Sequence, residues 1–134
     1  MAHAGLGQDW ECLFANDFSE KKAASYAANW GGDSLHVGDV ALLESSQLPS
    51  QADLAWASFP CQDLSLAGNG AGLIGARSGT FWAFMKLMGD LNVHGRKPRM
   101  IALENVYGAI TSHDGKDFEA MIQTVMAQGY RLGA

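Results

Sequence analysis

Short apolar runs alternate along this chain with longer stretches of helical periodicity, and that alternation most constrains what it can fold into. Glu11 to Asn16, Leu35 to Val40, Asp53 to Phe59 and Met100 to Leu103 read as strands, the last two as buried ones. Between and after them, Ser19 to Asn29, Thr80 to Leu91 and Asp117 to Gln128 read as helices. Ser19 is placed to cap the first of these, and Gly31-Gly32 to stop it. Phe81, Phe84, Met85 and Met88 form one apolar face of the second, and Phe118, Met121, Ile122 and Val125 one face of the third. Gly129 to Leu132 reads as the start of a further strand. Strands separated by helices predict an α/β fold with a mostly parallel sheet. In such sheets a site forms just past the C-terminal ends of the strands. That rule selects Asn16-Asp17, Asp39, Pro60-Cys61-Gln62 and Glu104-Asn105.

The 134 residues are enough for one small domain, and 48% hydrophobic content suits a packed core rather than a disordered tail. No apolar run reaches the roughly 18 residues of a membrane span. Met1 to Gly5 lacks the basic and apolar regions of a signal peptide, so a cytoplasmic location is expected. Cys12 and Cys61 match no zinc or CxxC spacing, and the histidines lack the spacing of a helical metal site, so no metal is expected. The net charge of −5 makes the chain a poor grip for duplex DNA, whose binding draws on Lys and Arg. The basic stretch His94 to Arg99 reads as a solvated loop.

Cys61 follows a strand and a proline that stiffens the turn, so its thiol has a rigid support. It could be a nucleophile or a small buried hydrophobe. Glu104 ends another strand. It could transfer a proton or hydrogen-bond a polar heterocycle, or it could be a helix cap or ion-pair partner. Asp17 could be a turn residue or an N-cap, Asp39 a turn residue, and Phe18 a core aromatic. Met85 and Met88 read as core.

The pair of motifs says more than either part. Pro60-Cys61-Gln62 after one strand and Glu104-Asn105-Val106 after the next, with a helix between, resemble the two central motifs of the cytosine-5 DNA methyltransferases. Arg77-Ser78-Gly79-Thr80-Phe81 resembles the motif that opens the intervening helix. Phe14 to Phe18 resembles the segment whose acidic residue binds the cofactor ribose, and Gly38-Asp39-Val40 the segment that holds the adenine.

The resemblance implies a Rossmann-like, S-adenosylmethionine-dependent fold and a flipped-out target cytosine. It implies that Cys61 attacks C6 and that Glu104 hydrogen-bonds and protonates around N3. Asn105 would support Glu104, and Arg77 would contact the flipped nucleotide or the catalytic carboxylate. For S-adenosylmethionine, Asp17 would accept from the ribose hydroxyls, Phe18 would pack on the adenine, and Asp39 would accept from its amino group beside Val40. Pro60 and Thr80 would line the methyl-donor side. An RNA-modifying branch shares this architecture; DNA is taken as the substrate because it is the commoner one.

Two departures from the family stand out. Only Gln8, Asp9 and Trp10 separate Gly7 from the strand at Glu11, too few for a helix after a cofactor-binding glycine loop. Met1 to Gly7 therefore reads as the end of a helix, with the first strand and true glycine loop expected upstream of Met1. That strand would be central, so the isolated chain is expected to be unstable or aggregation-prone. At the other end the target recognition region, the arginine motif and the C-terminal strands are expected to be absent. The chain thus reads as a partial catalytic domain over residues 1–134 whose DNA contacts lie mostly elsewhere. The alternative is a non-catalytic remnant, or half of a split enzyme that cannot bind cofactor alone.

Overall fold

The computed structural model describes residues 2–59 and 79–133. Helix α1 spans Ala2–Leu6, strand β1 Ala15–Asp17, helix α2 Glu20–Trp30 and strand β2 Leu35–Val37. Two single turns of 3-10 helix follow at Val40–Leu42 and Ser45–Gln47, before strand β3 at Leu54–Ser58. Helix α3 is Thr80–Val93, strand β4 Met100–Glu104, helix α4 Gly108–Thr111 and helix α5 Lys116–Ala127.

The local signals act as their chemistry demands. Ser19 has extended backbone and its hydroxyl accepts from the Lys22 N–H, which starts α2. Gly31 ends that helix at φ 82°, and Gly7 follows α1 at φ 79°, conformations that cost a side-chain-bearing residue energy.

All strand pairing among the described residues is parallel, in two separate two-stranded sheets, β1 with β2 and β3 with β4. In the second, Ala55, Ala57 and Phe59 face one way together with Ile101 and Leu103, and pack on α3. The apolar face of α3 contributes to both hydrophobic clusters. Phe81 and Met85 join Phe59, Ala109, Met121 and Val125 in one cluster. Leu87, Met88 and Leu91 join Leu43 in another, against which Phe14, Val40, Leu48 and Ala55 pack. The β3–β4 sheet therefore rests on this helix, as do Phe14, just before β1, and Val40, after β2.

Several expectations change. The first strand is confined to Ala15–Asp17, because β2 offers partners only from Leu35 onward. The second ends at Val37, where Gly38 and Asp39 turn the chain into 3-10 helix. β3 and β4 are covered on one face rather than buried on both: Trp56 is 43% and Met100 50% exposed. Gly129 to Leu132 forms no strand. Gly129 turns at φ 79°, and Tyr130 instead bonds the Pro98 carbonyl through its hydroxyl at 2.9 Å. On α5 the buried positions are Asp117, Met121 and Val125, spaced i, i+4, i+8, and Phe118 sits at the rim.

Candidate functional site

The strand ends selected by sequence fall into two groups. At the end of β1 and β2, Asn16 donates from Nδ2 to the carbonyls of His36 (3.1 Å) and Gly38 (2.9 Å). The Gly38 N–H donates in turn to the Asp17 carbonyl at 3.1 Å. These bonds lock the chain leaving β1 to the chain leaving β2, so that Asp17-Phe18 and Asp39-Val40 lie side by side.

Within that pair, both carboxylates do local work. Asp17 Oδ1 accepts from the Ser19 N–H at 2.8 Å, and Asp39 Oδ1 accepts from the Ala41 N–H at 2.9 Å. The turn chemistry weighed for both residues is therefore real, yet each uses one oxygen, and Oδ2 of neither has a partner among the described residues. Phe18 is not a core aromatic: the residue is 77% exposed. Val40 packs inward, against the cluster of Leu43, Leu87, Met88 and Leu91. An exposed apolar ring beside two half-used acceptors suits a ligand with an aromatic face and hydroxyl or amino donors.

The second group is at the end of β3 and β4. Ser58 pairs with Glu104 in the parallel register. The next residue, Asn105, donates from Nδ2 to the Phe59 carbonyl at 2.9 Å, and its Oδ1 accepts from the Val106 N–H at 2.8 Å. One side chain thus ties the exit of β4 to the exit of β3. Phe59 is 5% exposed and packs on Phe81 at 5.4 Å between ring centroids, with Trp82 edge-on to Phe81 at 4.9 Å. The backbone that leads into Pro60 is anchored by this aromatic stack. Glu104 itself is exposed, on the strand face opposite α3. Thr80 is the first residue of α3, after an extended Gly79. Pro60, Cys61 and Arg77 lie outside the described residues.

Sequence reasoning missed the anchoring role of Phe59 and the bridging role of Asn16. The signal for Phe59 was its alternation with Ala55 and Ala57. For Asn16 it was an amide side chain at the end of a parallel strand. The basic stretch also differs from the solvated loop expected of it. Arg96 bonds backbone carbonyls, and the Lys97 ammonium bonds the Gln128 carbonyl at 2.5 Å and lies 4.0 Å over the Tyr130 ring. Arg99 forms an exposed ion pair with Asp53 at 3.5 Å.

Among the described residues, no group of three or more His, Cys, Asp or Glu side chains is placed to hold a metal ion. No helix there is long and apolar enough to cross a membrane.

Comparison with known proteins gives a consistent answer. The chain is 28% identical over 122 residues to the type II methyltransferase M.BsuFI of Bacillus subtilis, covering 91% of the chain and 28% of that protein. It is 30% identical over 126 residues to M.NgoFVII of Neisseria gonorrhoeae, covering 92% and 32%. It is 28% identical over 134 residues to M.MspI of a Moraxella species, covering 96% and 30%. The chain thus spans 28% to 32% of the length of these relatives. The profile of C-5 cytosine-specific DNA methylases matches residues 1–133. The chain belongs to that family.

Proposed function

We propose that this chain is part of the catalytic domain of a DNA (cytosine-5) methyltransferase, with Cys61 as nucleophile. The observation that carries the reading is the Asn105 bridge: it holds the Glu104 strand end against the residue that precedes Pro60-Cys61. A nucleophile and a proton donor must reach two atoms on opposite sides of one ring, C6 and N3, and a fixed spacing between their strand ends supplies that pre-organisation.

In this reading the Cys61 thiolate forms a bond to C6 of a flipped cytosine, and the C5–C6 electron pair shifts toward C5 and N3. Glu104, as the acid, gives its proton to N3 and so stabilises that charge. When bound, S-adenosylmethionine supplies an electrophilic methyl group for C5. Loss of the C5 proton to a base then restores the double bond and expels the sulfur as thiolate, and N3 returns its proton to the Glu104 carboxylate. Asn105 holds Glu104 and the post-strand loop. Arg77 contacts the flipped nucleotide or the carboxylate.

The β1–β2 strand ends fit the cofactor. Asp17 Oδ2 would accept from ribose hydroxyls, Asp39 Oδ2 from the adenine amino group, and the exposed Phe18 ring would cover the adenine face. Val40 would complete the adenine side through its backbone and the turn it begins, since its side chain packs inward. Pro60 and Thr80 would flank the methyl end.

The finer fold is Rossmann-like. The all-parallel pairing of the two two-stranded sheets among the described residues supports this, and one further parallel strand joining them would complete such a sheet. DNA would be gripped mostly by regions outside these residues, in keeping with the net charge of −5 and with Arg96 and Lys97 being turned to internal carbonyls.

The test is calorimetric titration of S-adenosylmethionine, with Asp17→Ala as comparison. Saturable binding that the substitution weakens tenfold or more supports the pocket. Binding unchanged by Asp17→Ala contradicts it.

A further inference from the structure

Arg96 makes a contact set unlike that of any other cation among the described residues. Its Nε donates to the Ser50 carbonyl at 3.2 Å and its Nη1 to the Ser45 carbonyl at 3.0 Å. Its Nη2 donates to the carbonyls of Leu48 and Pro49, both at 2.6 Å. One guanidinium thus gathers four carbonyls of a single segment. That is work for a planar fork of donors, which an ammonium on a flexible stem cannot reproduce.

The segment so held begins at the Asp39 turn. From Asp39 the chain runs through Val40–Leu42, buries Leu43, turns again at Ser45–Gln47 and passes Leu48 before reaching β3. Two kinds of anchor fix it. Val40, Leu43 and Leu48 press on Leu87, Met88 and Leu91 of α3. Arg96 closes the far end from beyond the C-terminus of the same helix. Its own backbone is set by a bond from its N–H to the Leu91 carbonyl at 2.8 Å, after Gly95 turns the chain at φ 68°. Apolar packing alone lets a turn slide along a helix surface. Four directional bonds at the other end do not.

We propose that Arg96 is a positioning residue for cofactor binding: it fixes the 39–50 segment so that the Asp39 carboxylate stays beside the Asp17-Phe18 strand end. The inference rests on the reading of Asp39 as the adenine-side acceptor. It assigns to the basic stretch a role in the pocket rather than on a phosphate backbone, since the fork is spent on internal carbonyls.

Hydrogen–deuterium exchange and S-adenosylmethionine titration together test it, on the wild-type chain and on Arg96→Gln, Arg96→Lys and Asp39→Ala. The expected result for Arg96→Gln is at least tenfold faster exchange at the Ala41, Leu42 and Leu43 amides, with the β3–β4 amides protected as in wild type. The dissociation constant should rise about tenfold, and Arg96→Lys should not restore it. A merely structural arginine would accelerate exchange across β3, β4 and α5 alike, and that pattern would overturn the proposal. Unchanged exchange in the 41–43 amides overturns it too, as does local loosening with unchanged affinity while Asp39→Ala still weakens binding. If Asp39→Ala leaves affinity unchanged, or wild type does not bind, the reading of the adenine side falls and with it this role for Arg96. Local loosening in Arg96→Gln would then mark a loop clamp alone, which separates the two failures.

Discussion

Asn105 donates from Nδ2 to the Phe59 carbonyl across 2.9 Å, joining the residue after β4 to the residue after β3. The bond is half-buried and its acceptor belongs to a fully packed aromatic, so its loss strands a carbonyl where water has little access. It sets the spacing between the exits of β4 and β3.

Asn105→Ala is therefore expected to cost about 1–3 kcal/mol, read from urea unfolding. In the intact enzyme it should also lower the methylation rate more than it lowers cofactor affinity, because the β1–β2 strand ends are untouched. An equal fall in both would place the effect in global stability instead.

Phe81 is completely buried and touches both Phe59 and Trp82. Phe81→Ala is expected to cost about 3–5 kcal/mol, a large share of a small domain's stability. Loss of the cooperative thermal transition by circular dichroism checks this; a change under about 1 kcal/mol would contradict the packing described.

The exposed Arg99–Asp53 pair gives the contrasting case. Both side chains are more than two-thirds exposed, so Asp53→Asn should shift stability by less than about 1 kcal/mol, and less still in high salt. Urea midpoints at two salt concentrations decide it.

Alkaline pH should destabilise the fold through Tyr26. Burial, reinforced by the hydrogen bond its hydroxyl donates to Cys12 Sγ at 3.2 Å, raises its pKa above the ordinary 10.0. The unfolded chain then loses the phenolic proton first. Stability is full below pH 10 and falls as pH rises through the folded-state value. Tyr130, raised by burial, adds to the same slope. Thermal scans should show the decline above pH 10, and Tyr26→Phe should flatten it.

Much of this was legible in the residues. Ser19, Gly31 and the spacing of Phe81, Met85 and Met88 predict α2 and α3 to within two residues, because caps and periodicity are local signals. The strand ends that carry Asp17, Asp39 and Glu104 were legible for the same reason. What escaped depends on tertiary partners. Whether Glu11 to Phe14 pairs is decided by where β2 begins, and which stripe of α5 is buried by how it leans on Ala109 and α3. Arg96 looked like one charge in a solvated run. Only the fold brings Ser45, Leu48, Pro49 and Ser50 within its reach.

Covalent capture on DNA tests the central claim most directly. A duplex carrying 5-fluorocytosine blocks loss of the C5 substituent, so the sulfur cannot be expelled once C5 is methylated. Intact-mass spectrometry of the enzyme with this duplex and S-adenosylmethionine should then show a stable protein–DNA adduct that maps to Cys61. Cys61→Ser should abolish it, and Glu104→Gln should slow its formation by a factor of 100 or more. An adduct that forms equally well in Cys61→Ser, or that maps to Cys12, would contradict the account.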